Sequence, residues 1–169
     1  QELDLSLPKV SSFDLSDGFS TICFEKTFQD PNGLLWLKSC PFIGWEYNHH
    51  FTTFDGHTPR IPKLNGDAFK NGTIVQAMDM TAEGVIYGIY SDEVRHENGL
   101  FFLNTLNREL KILESADLGS TEYPIVSCQP DGNELILLFA STDGFEIRRL
   151  DLNDYSSKSV FSEEYLFKP

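Results

Sequence analysis

The chain has 169 residues, 40% hydrophobic and 13% aromatic, with 26 acids against 13 Lys and Arg for a net charge of −13. That length suits one domain of ordinary size and that apolar content builds a packed core, which excludes a largely disordered chain. The acidic balance, with no basic patch to offset it, excludes binding to a nucleic-acid backbone, and the longest apolar run, 135–140, is too short to cross a bilayer as a helix.

Fourteen Phe among many Gly and Asn turns favour strands over helices. Residues 1–18 read as an N-terminal arm or edge strand, because Leu3, Leu5 and Leu7 alternate before Pro8. A strand over 21–28 enters a first unit, 19–56, and leads to Asp30-Pro31-Asn32-Gly33. There Pro fixes φ at the second turn position, and Gly at the fourth is favoured after a type I turn. The run 34–37 returns as a second strand, 45–47 is expected as the third and 51–54 as the fourth. Residues 57–71, with Pro59, Pro62 and Gly66, read as a surface connector.

The second unit, 72–114, is expected to hold strands over 74–78, 85–90, 100–103 and 110–113, with a polar loop over 91–98. A connector over 114–121 leads to the third unit, 122–162, with strands over 125–129, 134–140, 145–150 and 158–161. The tail 162–169 either starts another unit or frays.

Gly33, Gly84 and Gly132 lead the three copies about 50 residues apart, at the upper end of the spacing of β-propeller blades. The expected fold is therefore all-β: blades of four antiparallel strands, about three of them in a single segment spanning 1–169. Propellers close with about four to eight blades, because each blade buries its faces against neighbours. The missing blades are expected in further sequence or in another copy of the chain, for instance as a dimer of two three-blade halves.

Cys23, Cys40 and Cys128 are too few for a disulfide framework, and both one bridge with a leftover thiol and three free buried thiols are open. The start at Gln1 fits a mature terminus after signal-peptide removal or a cut boundary. Asn71-Gly72-Thr73 meets the N-glycosylation sequon, which matters only in a eukaryotic secreted chain. His49, His50 and His57 invite a metal reading, but adjacent histidines on a strand face opposite ways, so solvated turn residues are expected. Asp30, Asn32 and Asp55 lack EF-hand spacing, and turn capping accounts for Asp30. No nucleophile-elbow, metalloprotease or phosphate-loop motif occurs. Glu163 and Glu164 are adjacent, whereas glycosidase chemistry needs two acids facing across a bond. No enzyme activity, catalytic residue, metal or cofactor is expected of this chain.

The stretch Gly18-Phe19-Ser20, then Gln29-Asp30-Pro31-Asn32-Gly33-Leu34-Leu35-Trp36-Leu37 and Gly44-Trp45, resembles the two-component-regulator propeller repeat. In that family a Gly-Leu-Ser element precedes a strand, an Asp-x-x-Gly turn and a Trp-Ile-Gly-Thr strand. The chain departs from it where Lys38-Ser39 replaces Gly-Thr and where Asn48-His49 replaces Asp-Gly. The resemblance implies the periplasmic sensor region of a hybrid two-component histidine kinase of the Bacteroidetes type, responding to oligosaccharides, with kinase modules outside this chain. Trp45, Tyr47 and His49 are the expected ligand-binding residues, since an aromatic face stacks on a sugar ring. Trp36, in mid-strand, is expected in the core. A carbohydrate-binding or glycan-active propeller and a scaffold for protein interaction are the alternatives.

Overall fold

The structure, a computed structural model, describes residues 15–19, 21, 23–40, 50–70, 72–92, 95–119 and 123–164. Among them are one 3-10 turn, Leu15–Asp17, and thirteen strands in three sheets, without an α-helix. The fold is all-β. The first sheet runs in chain order through β1 (Phe24–Gln29), β2 (Leu35–Ser39), β3 (Phe51–Phe54) and β4 (Pro59–Arg60). The second comprises β5 (Asn65–Gly66), β6 (Ile74–Met80), β7 (Val85–Asp92), β8 (Glu97–Asn104) and β9 (Glu109–Glu114). In it β6 to β9 are antiparallel neighbours, and β5 lies parallel to β9 at the edge. The third is again in chain order, β10 (Ile125–Asp131), β11 (Glu134–Ala140), β12 (Gly144–Asp151) and β13 (Ser157–Glu164). No closed ring of sheets forms among the described residues.

The third strand expected over 45–47 lies outside the described residues; β2 pairs directly with β3, Trp36 opposite Thr53 and Lys38 opposite Phe51. The strand after β3 is β4, which falls in the expected connector. Asp55 folds it back: its carboxylate accepts the Thr58 and His57 amides at 2.7 and 2.9 Å, and these bonds hold its carboxyl below the usual aspartate value. Thr53 Oγ1 then donates to the Arg60 carbonyl at 3.1 Å. Pro59 is tolerated because β4 is an edge strand. The polar loop over 91–98 is also shorter than expected. The strands run to Asp92 and from Glu97, and the Asp92 carboxylate, 1% exposed, accepts the Arg95 amide and pairs with its guanidinium.

The middle sheet is covered on both faces, which follows from period-two alternation in strands that are apolar throughout. Ile86, Tyr90, Phe101 and Leu103 turn toward the first sheet and pack with Phe28, Trp36 and Phe51. Their neighbours Tyr87, Ile89, Leu100 and Phe102 turn the other way and pack with Cys128, Leu135, Leu137 and Phe139 of the third sheet. Trp36, fully buried, anchors the first of these interfaces, and truncating such a ring costs about 3–5 kcal/mol.

Polar groups tie the sheets together where the ladders are interrupted. Each sheet's first antiparallel strand carries a one-residue bulge, at Glu25, Met78 and Val126. A bulge strands backbone groups and increases twist; Lys26 Nζ of the first sheet donates to the carbonyl of Met78. Asn98 joins the other pair: its Oδ1 accepts the Ile125 amide at 2.7 Å, while its Nδ2 donates to the Tyr90 and Ile125 carbonyls at 3.3 and 3.4 Å. Gly84, at φ +82°, brings the β6–β7 turn against Pro31, whose Cδ would lie 2.7 Å from an added Cβ.

Candidate functional site

The β1–β2 turn sets the first sheet's geometry. Asp30, 5% exposed, accepts the amides of Asn32 and Leu34 at 2.9 and 3.0 Å and the Trp36 indole N–H at 3.2 Å. One carboxylate therefore closes the turn and fixes the core tryptophan, a structural role that calls for no metal.

At the far end of β1 and β2 the chain is pinched. Cys23 and Cys40 form a disulfide, with Cα atoms 5.4 Å apart, and the Cys40 amide donates to the Cys23 carbonyl at 3.0 Å. One bridge with a leftover thiol is thus the arrangement present, and Cys128 is free and buried. Ser39 N donates to the His50 carbonyl at 3.0 Å. The disulfide and the Ser39–His50 bond form a neck at this end of the first sheet. Trp45, Tyr47 and His49 lie outside the described residues.

Directly after the neck lies a cavity of about 180 Å³, with His50 and Phe51 on one side and Ile61, Pro62, Leu64, Asp67 and Phe69 on the other. All four residues of β3 are buried, and Phe51, on the same face as Trp36, meets Trp36 and Phe101 edge-on at 6.4 and 6.1 Å. Phe69 meets Phe101 at 5.4 Å and takes the His50 ring edge-to-face at 4.9 Å, so an unbroken aromatic series runs from the cavity to the core.

The opposite wall is pinned to the second sheet. Asn65 and Gly66 pair with Glu109 and Leu110, and the Asp67 amide donates to the Leu110 carbonyl at 2.9 Å. Asp67 Oδ2 accepts the Ile112 amide at 2.7 Å, leaving Oδ1 without a hydrogen bond among the described residues. The arrangement offers apolar ring faces, one carboxylate oxygen and one imidazole. Its volume is below the roughly 300–1,000 Å³ of drug-sized pockets, which suits a single ring or one side chain.

Beside it Lys38, 1% exposed, stands opposite Phe51 on β2. Its ammonium pairs with Glu25 at 3.2 Å and donates to the Ser39 carbonyl. Burial pulls its pKa below the usual lysine value, and Glu25 works in the opposite direction. Among the described residues no three His, Cys, Asp or Glu side chains gather as a metal set. Of the expected histidines, His50 lines the cavity and His57 lies in the Asp55 turn. Sequence reasoning missed Asp67 and Phe69, which sit in what reads as a connector; an Asp and a Phe within an otherwise polar, Pro-rich stretch was the available signal. Comparison with protein-family models, curated proteins and solved structures found no match.

Proposed function

We propose that this chain is the ligand-binding, extracytoplasmic part of a receptor, built of three blades of an incomplete β-propeller, and that it recognises one ring of an oligosaccharide without transforming it. The cavity at the neck carries the proposal. It joins aromatic faces to a carboxylate acceptor, a pairing that suits the C–H and O–H surfaces of a sugar, and Trp45, Tyr47 and His49 shortly precede its lining residue His50 in the sequence. Three successive four-stranded meanders, each with a bulged first strand, support the blade reading. The Cys23–Cys40 bridge supports an oxidising compartment, where such bonds persist. Two-component signalling belongs to this proposal through the resemblance of the first unit alone, with any kinase outside the chain.

The test is thermal unfolding against a panel of oligosaccharides, because a ligand that binds only the native state raises stability by RT ln(1 + [L]/Kd). A saturable shift with one glycan class, abolished by Trp45→Ala or Phe69→Ala, is the expected result. No shift with any glycan would refute the sugar reading, and release of a cleaved glycan would refute the non-enzymatic one.

A further inference from the structure

The last strands of the three sheets end differently. The first sheet stops at β4, two residues beginning with Pro59, and β9 of the second is covered by β5. Both devices guard a sheet edge, whose free N–H and C=O groups are a template for another strand. The third sheet has neither. Its last strand, β13, is eight residues long, and beyond its ladder with β12 its backbone makes no hydrogen bond among the described residues. Lys158 to Glu163 are exposed throughout, Val160 and Phe161 by 55% and 49%.

We infer that β13 pairs edge to edge with β13 of a second copy, antiparallel about a two-fold axis perpendicular to the sheet, so that the two third sheets become one. The strand is complementary to itself in the register that overlaps all eight positions. There Lys158 of each copy faces Glu163 of the other, Ser159 faces Ser162, and Val160 and Phe161 meet at the axis. Opposite charges and apolar side chains set directly across a ladder stabilise it.

A regular strand could not pair with its own copy in this way. Peptide groups face a given edge at every second residue, so a two-fold axis falling between two residues would set an edge-facing position against an inward-facing one. The one-residue bulge at Val160 removes the conflict, because Ser159 lies opposite Arg148 and Phe161 opposite Ile147, with Val160 passed over. Positions 158 and 163 consequently share one orientation, opposite 149 and 145 of β12, while 157, 159, 162 and 164 share the other, opposite 150, 148, 146 and 144. Every pair of the proposed register outside its centre joins two positions of the same kind. The contact is a single ladder with its flanking side chains, so the dimer is weak and reversible, held by main-chain hydrogen bonds and specified by the side chains beside them. The inference does not depend on the sugar-binding proposal.

The test is sedimentation equilibrium of the whole chain over a wide dilution series, beside hydrogen–deuterium exchange at its two ends. The wild type is expected to dimerise reversibly, with edge-facing amides of β13 exchanging more slowly at high concentration. Lys158→Glu turns two attractive pairs into repulsive ones and is expected to raise the dissociation constant by about tenfold, and Lys158→Glu with Glu163→Lys to restore it. Val160→Lys sets like charges at the axis and is expected to weaken the dimer by about tenfold or more. All three positions are exposed, and circular dichroism checks that the variants fold. A wild type that stays monomeric at every concentration overturns the inference and leaves the edge to a strand from another source. A dimer whose β13 amides exchange as fast as the monomer's, or one indifferent to the charge reversal, overturns it too.

Discussion

Replacing both bonded cysteines, Cys23→Ser and Cys40→Ser, isolates what the bridge contributes, because the backbone hydrogen bond between the two positions and the β1–β2 ladder survive the change. Both side chains are half-buried, so serine introduces little desolvation. The bond closes a loop of sequence separation 17, and the chain-entropy relation assigns such a loop about 3 kcal/mol of unfolded-state restraint. At this chain length that corresponds to a melting temperature lower by about 6–12 °C. With a urea slope of about 2 kcal/mol/M, the midpoint falls by about 1.5 M. Urea unfolding of the double variant beside the oxidised wild type measures this directly, with reduced wild type as the control that must follow the variant. A difference below about 1 kcal/mol would refute the assignment of stability to unfolded-chain restraint. Reduced wild type indistinguishable from oxidised would mean that the neck is held by the backbone alone.

Asp30→Ala removes the acceptor of two part-buried backbone amides, Asn32 and Leu34, and of the buried Trp36 indole N–H. At about 1–3 kcal/mol for each unmet buried donor, a total loss of roughly 3 kcal/mol is expected in urea unfolding, with a blue-shifted or broadened tryptophan emission as the local signature. Alkaline pH should also destabilise the fold. Burial pushes the Cys128 thiol up to about 12, and burial, then Asp79 and Cys128, push the Tyr87 phenol up to about 12. Both groups hold their protons in the fold at pH values where the unfolded chain releases them. Their contribution is therefore whole below about pH 9, the ordinary thiol value, and is lost as pH rises to about 12. Unfolding free energy followed from pH 8 to 12 should fall across that window, and Cys128→Ala should remove the earlier part of the fall; a flat profile would contradict both burial assignments.

The long strands were legible because their side chains carry the signal. Residues 134–140 and 85–90 alternate or run apolar over enough positions to declare a pleated segment, and β11 and β7 cover them. What escaped was decided by the backbone. Pro59–Arg60 and Asn65–Gly66 are two residues each, too short for any period, and they pair through peptide groups to which the sequence gives no clue. The disulfide stayed open for a similar reason, since three cysteines allow several states and only the register of β1 against β2 brings two together. As for the candidate site, His50 was visible only as half of a histidine pair. Asp67 and Phe69 gain their place from β5, a contact about 45 residues away along the chain that no local pattern encodes.

That contact gives the cavity an unusual construction. His50 and Phe51 belong to the first sheet, whereas the wall carrying Asp67 is laced to β9, the outermost antiparallel strand of the second. The space between them is consequently a gauge of the angle at which two sheets meet. Whatever fills it resists splaying of that angle, and whatever splays the angle loosens the occupant by the same free energy, since linkage between two equilibria is reciprocal. Occupancy is thereby converted into stiffness at a joint, and a stiffened joint can be felt by any neighbour stacked further along the series of sheets.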